Sequence, residues 1–276
     1  MSGYRFLQFL IGFYGIFNPS SLEAQLKSDS LLMKGVTQIS LTRQGLIVAA
    51  NEQSSIFLLD STGKIQYQFS PRRPARIHIL EAWNALRVFA FYRDFQEFVL
   101  LDRFLLADGA LAIDPEKTGY ARLLAPALDG NLWALDESSF QLKKMDQQNQ
   151  KTLFSTPLDL ILSSKQYDLC FMREYQNQLY ISDRLGKILQ FDQMGNFRKK
   201  LPLENCEWFA FRGDEIYSVE KDSLSFFHTF QLRKRKFPLP APAQGSLKVL
   251  IAGNHLYWIR KEGLFQMDLP VWLKNL

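Results

Sequence analysis

The chain has 276 residues, of which 47% are hydrophobic, 14% aromatic and 22% charged, and its formal net charge is +5. This hydrophobic content supports a large core, and the ordinary charged fraction excludes a disordered chain. The tight Lys and Arg clusters, at residues 72–73, 199–200 and 233–236, lie far apart in the sequence. Nucleic-acid binders gather such residues on one face, so we predict a folded protein that binds no nucleic acid.

The first 24 residues have the pattern of an export signal. Arg5 precedes an apolar run at residues 6–17, and the following residues break the helix and end in small side chains. The run is shorter than the roughly 20 apolar residues that a membrane-spanning helix needs. We predict a signal peptide at residues 1–24, one domain at residues 25–276, and export to the periplasm or the outer membrane without a membrane span. A buried N-terminal helix is the alternative interpretation.

A short apolar phrase recurs six times along the chain, at intervals of 37 to 47 residues. A second, alternating segment follows each copy after a short polar break, and five of the six second segments end in Asp. Such pairs are typical of β-hairpins. The first segments lie at residues 45–51, 85–91, 131–136, 178–183, 215–220 and 255–260.

Another apolar segment precedes each hairpin, and a polar segment follows it, most clearly at residues 64–70 and 197–202. Each unit therefore has four strands, which we name A to D from the centre outward. A period near 40 residues with β-type content is typical of propeller blades. We predict an all-β, six-bladed β-propeller. The irregular segments at residues 103–118 and 147–166 leave five or seven blades as alternatives.

The last unit lacks a D strand, because little chain remains after its C strand. A closed ring removes exposed sheet edges, so another part of the chain should complete this blade. We predict that residues 29–34 supply the missing strand. Closure by residues 271–276 is the alternative.

The turns between B and C strands, and the connections from D to the next A strand, emerge on one face of a propeller. We call it the B–C face, and the other the A–B face. Connections predicted at residues 71–76, 107–119 and 237–245 extend the B–C face. Every B–C turn carries a carboxylate, although tight turns favour such residues in any case. The candidate binding residues on this rim are Glu52, Tyr92, Arg93, Asp94, Phe95, Asp136, Asp183 and Arg184.

The B–C turn at residues 92–96, with the sequence YRDFQ, is the most distinctive. It places two aromatic side chains beside Arg and Asp, and aromatic residues and Arg are enriched at binding hot spots. Tyr92 and Phe95 can alternatively pack against the next blade.

No residue pattern indicates a catalytic centre. His78, His228 and His255 lie in strand-like segments without metal-ligand spacing, and no nucleophile or phosphate-binding motif occurs. Cys170 and Cys206 are 36 residues apart and fall on neighbouring blades, either bonded or as two buried thiols. We predict no catalytic residue, no metal ion and no cofactor.

Two segments resemble known propeller families. Residues 186–197 (GKILQFDQMGNF) and 55–69 (SIFLLDSTGKIQYQF) resemble NHL repeats of six-bladed propellers. Residues 84–105 (NALRVFAFYRDFQEFVLLDRFL) are similar to a segment of uncharacterised exported propeller proteins of Bacteroidota. The second resemblance implies a location in the cell envelope and brings no known activity.

The sequence therefore favours a non-catalytic binding or scaffolding propeller of the bacterial envelope, monomeric on its own, that docks a protein or ligand on the B–C face. The alternative is a six-bladed, lactonase-like hydrolase with a channel metal ion. The hydrolase should place at least three Asp, Glu, Asn or His side chains around one point in the channel. The scaffold should carry an exposed aromatic and basic patch on the rim.

Overall fold

A computed structural model describes residues 30–83, 87–162, 167–246 and 248–274. These residues form six four-stranded antiparallel sheets, which we number as blades 1 to 6 in the chain order of their inner strands. The predicted six-bladed propeller is confirmed. The predicted signal peptide at residues 1–24 lies outside the described residues and stays a prediction.

The first five blades each use four consecutive strands, and the sixth combines both ends of the described chain. Blade 1 contains β2 (Val36–Leu41), β3 (Ile47–Asn51), β4 (Ile56–Leu59) and β5 (Ile65–Phe69), and blade 2 contains β6 (Ile79–Glu81), β7 (Val88–Tyr92), β8 (Glu97–Leu101) and β9 (Ala107–Ala112). Blade 3 contains β10 (Ala121–Pro126), β11 (Leu132–Asp136), β12 (Gln141–Met145) and β13 (Thr152–Pro157), and blade 4 contains β14 (Leu169–Tyr175), β15 (Gln178–Asp183), β16 (Lys187–Asp192) and β17 (Phe197–Glu204). Blade 5 contains β18 (Phe209–Arg212), β19 (Glu215–Glu220), β20 (Ser223–His228) and β21 (Lys234–Pro238), and blade 6 contains β22 (Val249–Ala252), β23 (His255–Arg260), β24 (Gly263–Asp268) and β1 (Ser30–Lys34).

Burial follows the position of a strand in its blade. The B strands β7 and β11 are buried at every position, because neighbouring blades cover both of their faces. They therefore read as continuous apolar runs rather than as alternating ones. The D strand β5 is exposed at its first four positions, since it lies at the outer edge.

The Asp residues that end the C strands fold the C–D turns. Asp60 accepts hydrogen bonds from the backbone N–H groups of Thr62 and Lys64, and Asp192 does the same for Met194 and Asn196. A short carboxylate side chain satisfies turn amides in this way without the help of distant residues. The repeated Asp in the sequence thus serves local structure.

The ring closes through β1, which pairs with β24 in antiparallel register, Ser30 opposite Gln266 and Lys34 opposite Gly263. The predicted closure by residues 29–34 is confirmed for its described part. The alternative is wrong, because the C-terminal segment forms a short helix, α2 (Val271–Lys274), instead of a strand.

The predicted connections at residues 107–119 and 237–245 need correction. Residues 107–112 form the outer strand β9, followed by the short helix α1 (Pro115–Thr118), and β21 extends to Pro238. The irregular segment at residues 147–166 likewise contains β13. Outer strands face solvent on both sides, so they lack the apolar alternation by which a sequence reveals a strand.

Two buried Trp residues provide a test of the core. Trp133 and Trp258 are each 0% exposed, on the B strands of blades 3 and 6. Replacing either by Ala should lower the free energy of unfolding by about 3–5 kcal/mol, through lost contacts and the cavity left behind. Urea denaturation of each variant measures this change.

Replacing the same two Trp residues by Phe should cause different losses of stability. The Trp133 indole N–H donates to the buried carboxylate of Glu174, whereas that of Trp258 has no partner among the described residues. Trp133→Phe should therefore cost about 1–3 kcal/mol more than Trp258→Phe, because a buried carboxylate loses its donor. Equal losses in the two variants would contradict this hydrogen bond's contribution.

Candidate binding site

A buried ion pair crosses the channel near the A–B face. The Arg173 guanidinium of blade 4 contacts the Glu81 carboxylate of blade 2, and the two side chains are 7% and 5% exposed. Glu81 also accepts a hydrogen bond from the Ser40 hydroxyl of blade 1 at 3.2 Å, and Arg173 donates to the Phe209 carbonyl of blade 5 at 3.1 Å. Four blades are thus joined across the axis.

At the B–C face, ion pairs link three blades around the channel mouth. Arg122 of blade 3 contacts Glu137 at 2.8 Å and Asp168 at 2.6 Å. Arg184 of blade 4 contacts the same Asp168 at 2.6 Å and Glu207, just before blade 5, at 2.9 Å. Two guanidinium groups thus pair with three carboxylates, so each of these side chains already has a partner.

The other half of the mouth is joined by hydrogen bonds. The Lys248 ammonium donates to the Thr37 carbonyl at 2.9 Å and to the Gln38 side-chain oxygen at 2.6 Å. The Gln38 amide in turn donates to the Ile77 carbonyl at 3.0 Å. Burial lowers the pKa of Lys248 to about 8. Blades 6, 1 and 2 are therefore connected by the same side chains that surround the mouth.

The two cysteines are free thiols on neighbouring blades. Cys170 lies in β14, and its sulfur is 3.7 Å from the carbonyl oxygen of Cys206, which precedes β18. Burial raises the pKa of both thiols. The sequence was compatible with a disulfide or with two free thiols, and the structure contains two free thiols.

The predicted rim residues differ in their accessibility. Asp136 and Asp183 are buried, which agrees with the alternative that tight turns select such residues for their own structure. Asp136 pairs with Lys143 at 2.8 Å, and Asp183 accepts two backbone N–H groups at 2.8 and 3.1 Å. Their turns need these acceptors for their own structure. Glu52 is exposed beside the mouth, and Arg184 belongs to the mouth ion pairs.

The turn at residues 92–96 meets the preceding D–A connection. The Arg73 guanidinium, from the connection that leaves blade 1, lies 3.6 Å above the Phe95 ring and 3.3 Å from the Glu97 carboxylate. Together Arg73 and Phe95 form an aromatic and basic patch on the rim. Arg73 was not among the predicted rim residues, although its place on the same face of the adjacent blade was a usable signal.

Tyr92 does not present its ring at the surface. It is 4% exposed, which agrees with the alternative that this ring packs within the propeller. Burial raises its pKa to about 12. Its hydroxyl has no hydrogen-bond partner among the described residues, which is unusual for a buried polar group.

A groove separates blades 1 and 2 beside this turn. We name it the rim groove, a cavity of about 470 Å³. On its blade 1 side lie Phe69, Arg72 and Arg73, and on its blade 2 side lie Tyr92, Phe95, Val99 and residues 107–110. This volume lies within the range of ligand sites, roughly 300–1,000 Å³. The blades pack tightly near the axis and diverge outward, which leaves this wedge.

Within the described ranges, no group of three or more His, Cys, Asp or Glu side chains is arranged to hold a metal ion. The described helices include none with the length and apolar character required to cross a membrane.

Solved structures with a similar fold share little sequence with this chain. A streptogramin B lyase has 13% identity and a TM-score of 0.58 over 88% of this chain and 85% of its own. A virginiamycin B lyase from Staphylococcus aureus has 10% identity and a TM-score of 0.57 over 86% and 80%. BamB from Moraxella catarrhalis has 13% identity and a TM-score of 0.49 over 85% of each chain. No family model and no curated protein sequence matches, so neither the resemblance to NHL repeats nor that to exported propellers of Bacteroidota is confirmed.

The rim also carries a titratable group whose effect on stability can be measured. His78 lies 3.7 Å from Asp94, and its pKa is lowered to about 4 by burial and by Arg93 and Arg76, with Asp94 opposing. Because an unfolded chain has a His pKa near 6.5, it binds the proton between pH 6.5 and 4 while the native protein does not.

His78 should therefore destabilise the protein as the pH falls through that window, by at most about 1.4 kcal/mol per pH unit. We expect His78→Gln to gain stability relative to the unsubstituted protein from pH 6.5 to pH 4. Urea denaturation at several pH values measures the difference, and a constant difference would contradict the burial of this imidazole.

Proposed function

We propose that this protein is a non-catalytic docking propeller of the bacterial cell envelope, which binds a protein partner at the rim of its B–C face. The observation that carries the proposal is the patch of Arg73 stacked on Phe95 beside the rim groove. Arg and aromatic side chains contribute most of the binding energy at protein interfaces.

The distribution of paired charges favours a binding site at the rim rather than in the channel. At the A–B end, Glu81 and Arg173 satisfy each other, and at the B–C end the mouth charges pair between blades. These groups would have to lose existing partners before they could bind a ligand. At the rim groove, by contrast, Arg72 has no ion-pair partner among the described residues.

The shape of the site supports a macromolecular partner. The rim groove opens beside exposed side chains of two blades, so a partner can contact the groove and the surrounding turns together. The predicted export signal and the resemblance of residues 84–105 to exported propellers support an envelope location. One propeller domain at residues 25–276, released from its signal and monomeric before docking, completes the proposal.

Affinity capture tests the proposal. The tagged mature protein, added to envelope extracts, should recover a specific partner, identified by mass spectrometry. Arg73→Ala and Phe95→Ala should each reduce its recovery at least fivefold, since such anchors contribute about 1–2 kcal/mol or more. The melting temperature of Arg73→Ala should change little because that side chain is exposed, whereas Phe95 is partly buried against the core, so Phe95→Ala is compared at equal concentrations of folded protein.

A matched pair on the same blade provides the control. Arg103 lies 4.7 Å above the Phe104 ring in the C–D turn of blade 2, on the opposite A–B face. Arg103→Ala and Phe104→Ala should leave recovery unchanged. If these variants lose the partner and the rim variants keep it, docking on the B–C face is wrong.

A further inference from the structure

The outer strand of blade 2 is an unprotected sheet edge. Its sequence, ADGALA, holds four Ala or Gly residues and one charge, and its last five positions are exposed. The outer strands β17 and β21 carry several Lys and Arg residues instead. Charged side chains and Pro are the usual means by which proteins prevent strand pairing at an edge. In β9 the backbone is therefore accessible to another strand.

The register of β9 identifies its unpaired backbone groups. Ile113 donates its N–H to the Gln96 carbonyl at 2.8 Å, and Leu111 lies opposite Phe98 of β8. Because hydrogen-bonded pairs alternate along an antiparallel ladder, Leu111 directs its N–H and C=O toward β8. Ala110 and Ala112 direct theirs toward the open side. Ala110 thus presents an open donor and acceptor and Ala112 an open donor, whereas the Ala112 carbonyl already accepts a hydrogen bond from the Gln150 side chain at 2.7 Å.

The rim groove adjoins this edge. Ala110 lies opposite Val99 in the ladder, so both side chains face the groove and blade 1. Phe69 adds apolar surface on the other wall, and the Arg72 guanidinium lies at the same site without an ion-pair partner among the described residues. A strand added to β9 would direct alternate side chains into this space.

We propose that β9 pairs with an extended segment of the partner protein, which becomes a fifth strand of blade 2. One apolar side chain of this segment lies in the rim groove beside Ala110, and a carboxylate two residues away contacts Arg72. The N–H and C=O of Ala110 and the N–H of Ala112 supply the pairing hydrogen bonds. This inference rests on the proposed function, because it names the partner class of the same site.

Strand addition explains features that a flat contact does not. Main-chain hydrogen bonds provide affinity in this mode of recognition, and pockets for alternate side chains provide specificity. The small side chains of β9 keep its backbone uncovered, while the adjacent groove receives every second side chain of the added strand. A compact small molecule would use the groove alone and would leave the β9 amides free.

A random library of eight-residue peptides, displayed on phage and selected against the full chain, provides the probe. Enriched peptides should contain an apolar residue and an acidic residue two positions apart, because such residues share one face of a strand. Their dissociation constants are then measured by fluorescence anisotropy. Amide hydrogen exchange at Ala110 and Ala112 should slow when a peptide binds.

Substitutions in the chain test the geometry. Ala112→Pro removes an outward N–H and leaves the ladder to β8 intact, so it should raise the dissociation constant at least tenfold. Arg72→Ala should raise it severalfold, and Arg72→Lys less. Leu111→Ala is the matched control, because Leu111 faces the other side of the blade, and it should change the constant less than twofold.

Peptide N-methylation keeps the test independent of how well the Pro variant folds. Two peptides are made, one methylated on the odd-numbered and one on the even-numbered backbone nitrogens. The peptide whose methyl groups point toward β9 should not bind, and the other should bind as before. Equal tolerance of both phases, or unchanged binding to Ala112→Pro, would overturn strand addition. A library that yields no enriched peptide would overturn it also. In each of these cases, a loss of partner recovery in Phe95→Ala would still support docking at the rim. The failure of strand addition can therefore be told apart from the failure of the proposed function.

Discussion

The ion pair between Glu81 and Arg173 determines how the centre of this propeller is organised. Both charges are buried, and each has further hydrogen bonds, to Ser40 on one side and to Phe209 on the other. A buried charge without a partner costs several kcal/mol, so blades 1, 2, 4 and 5 must keep the relative positions that satisfy this pair. Contacts between neighbouring blades alone would constrain opposite sides of the ring less directly.

The side chains that stabilise the channel differ from those that we propose for partner binding. The Arg and acidic side chains named along the channel are already paired with one another, whereas Arg72 at the rim groove between blades 1 and 2 has no ion-pair partner in the part of the chain that the structure describes. Blades that pack closely at the axis must diverge at their outer strands, and a wedge remains where the side chains are too small to fill it. In blade 2 these are the Ala and Gly residues of β9.

Most of the fold could be predicted from the repeat, including the use of residues 29–34 to close blade 6. The hairpins of B and C strands were evident because burial on both faces selects apolar runs. The outer strands β9 and β13 were not located within their irregular segments, since solvent on both sides imposes no pattern on their residues. The candidate site was predicted in part: the turn at residues 92–96 was recognised, but Tyr92 proved buried and Arg73 was not foreseen.

The sequence by itself determined the six repeating units, the apolar character of the inner strands and the Asp residues that fold the C–D turns. Each of these depends on neighbours within one blade. Because the same local environment recurs in every blade, the same residue types recur in the sequence. Only the tertiary structure decided that Glu81 meets Arg173 across the axis and that Arg73 covers Phe95. Contacts between blades depend on the radius and twist of the closed ring, which no single repeat encodes.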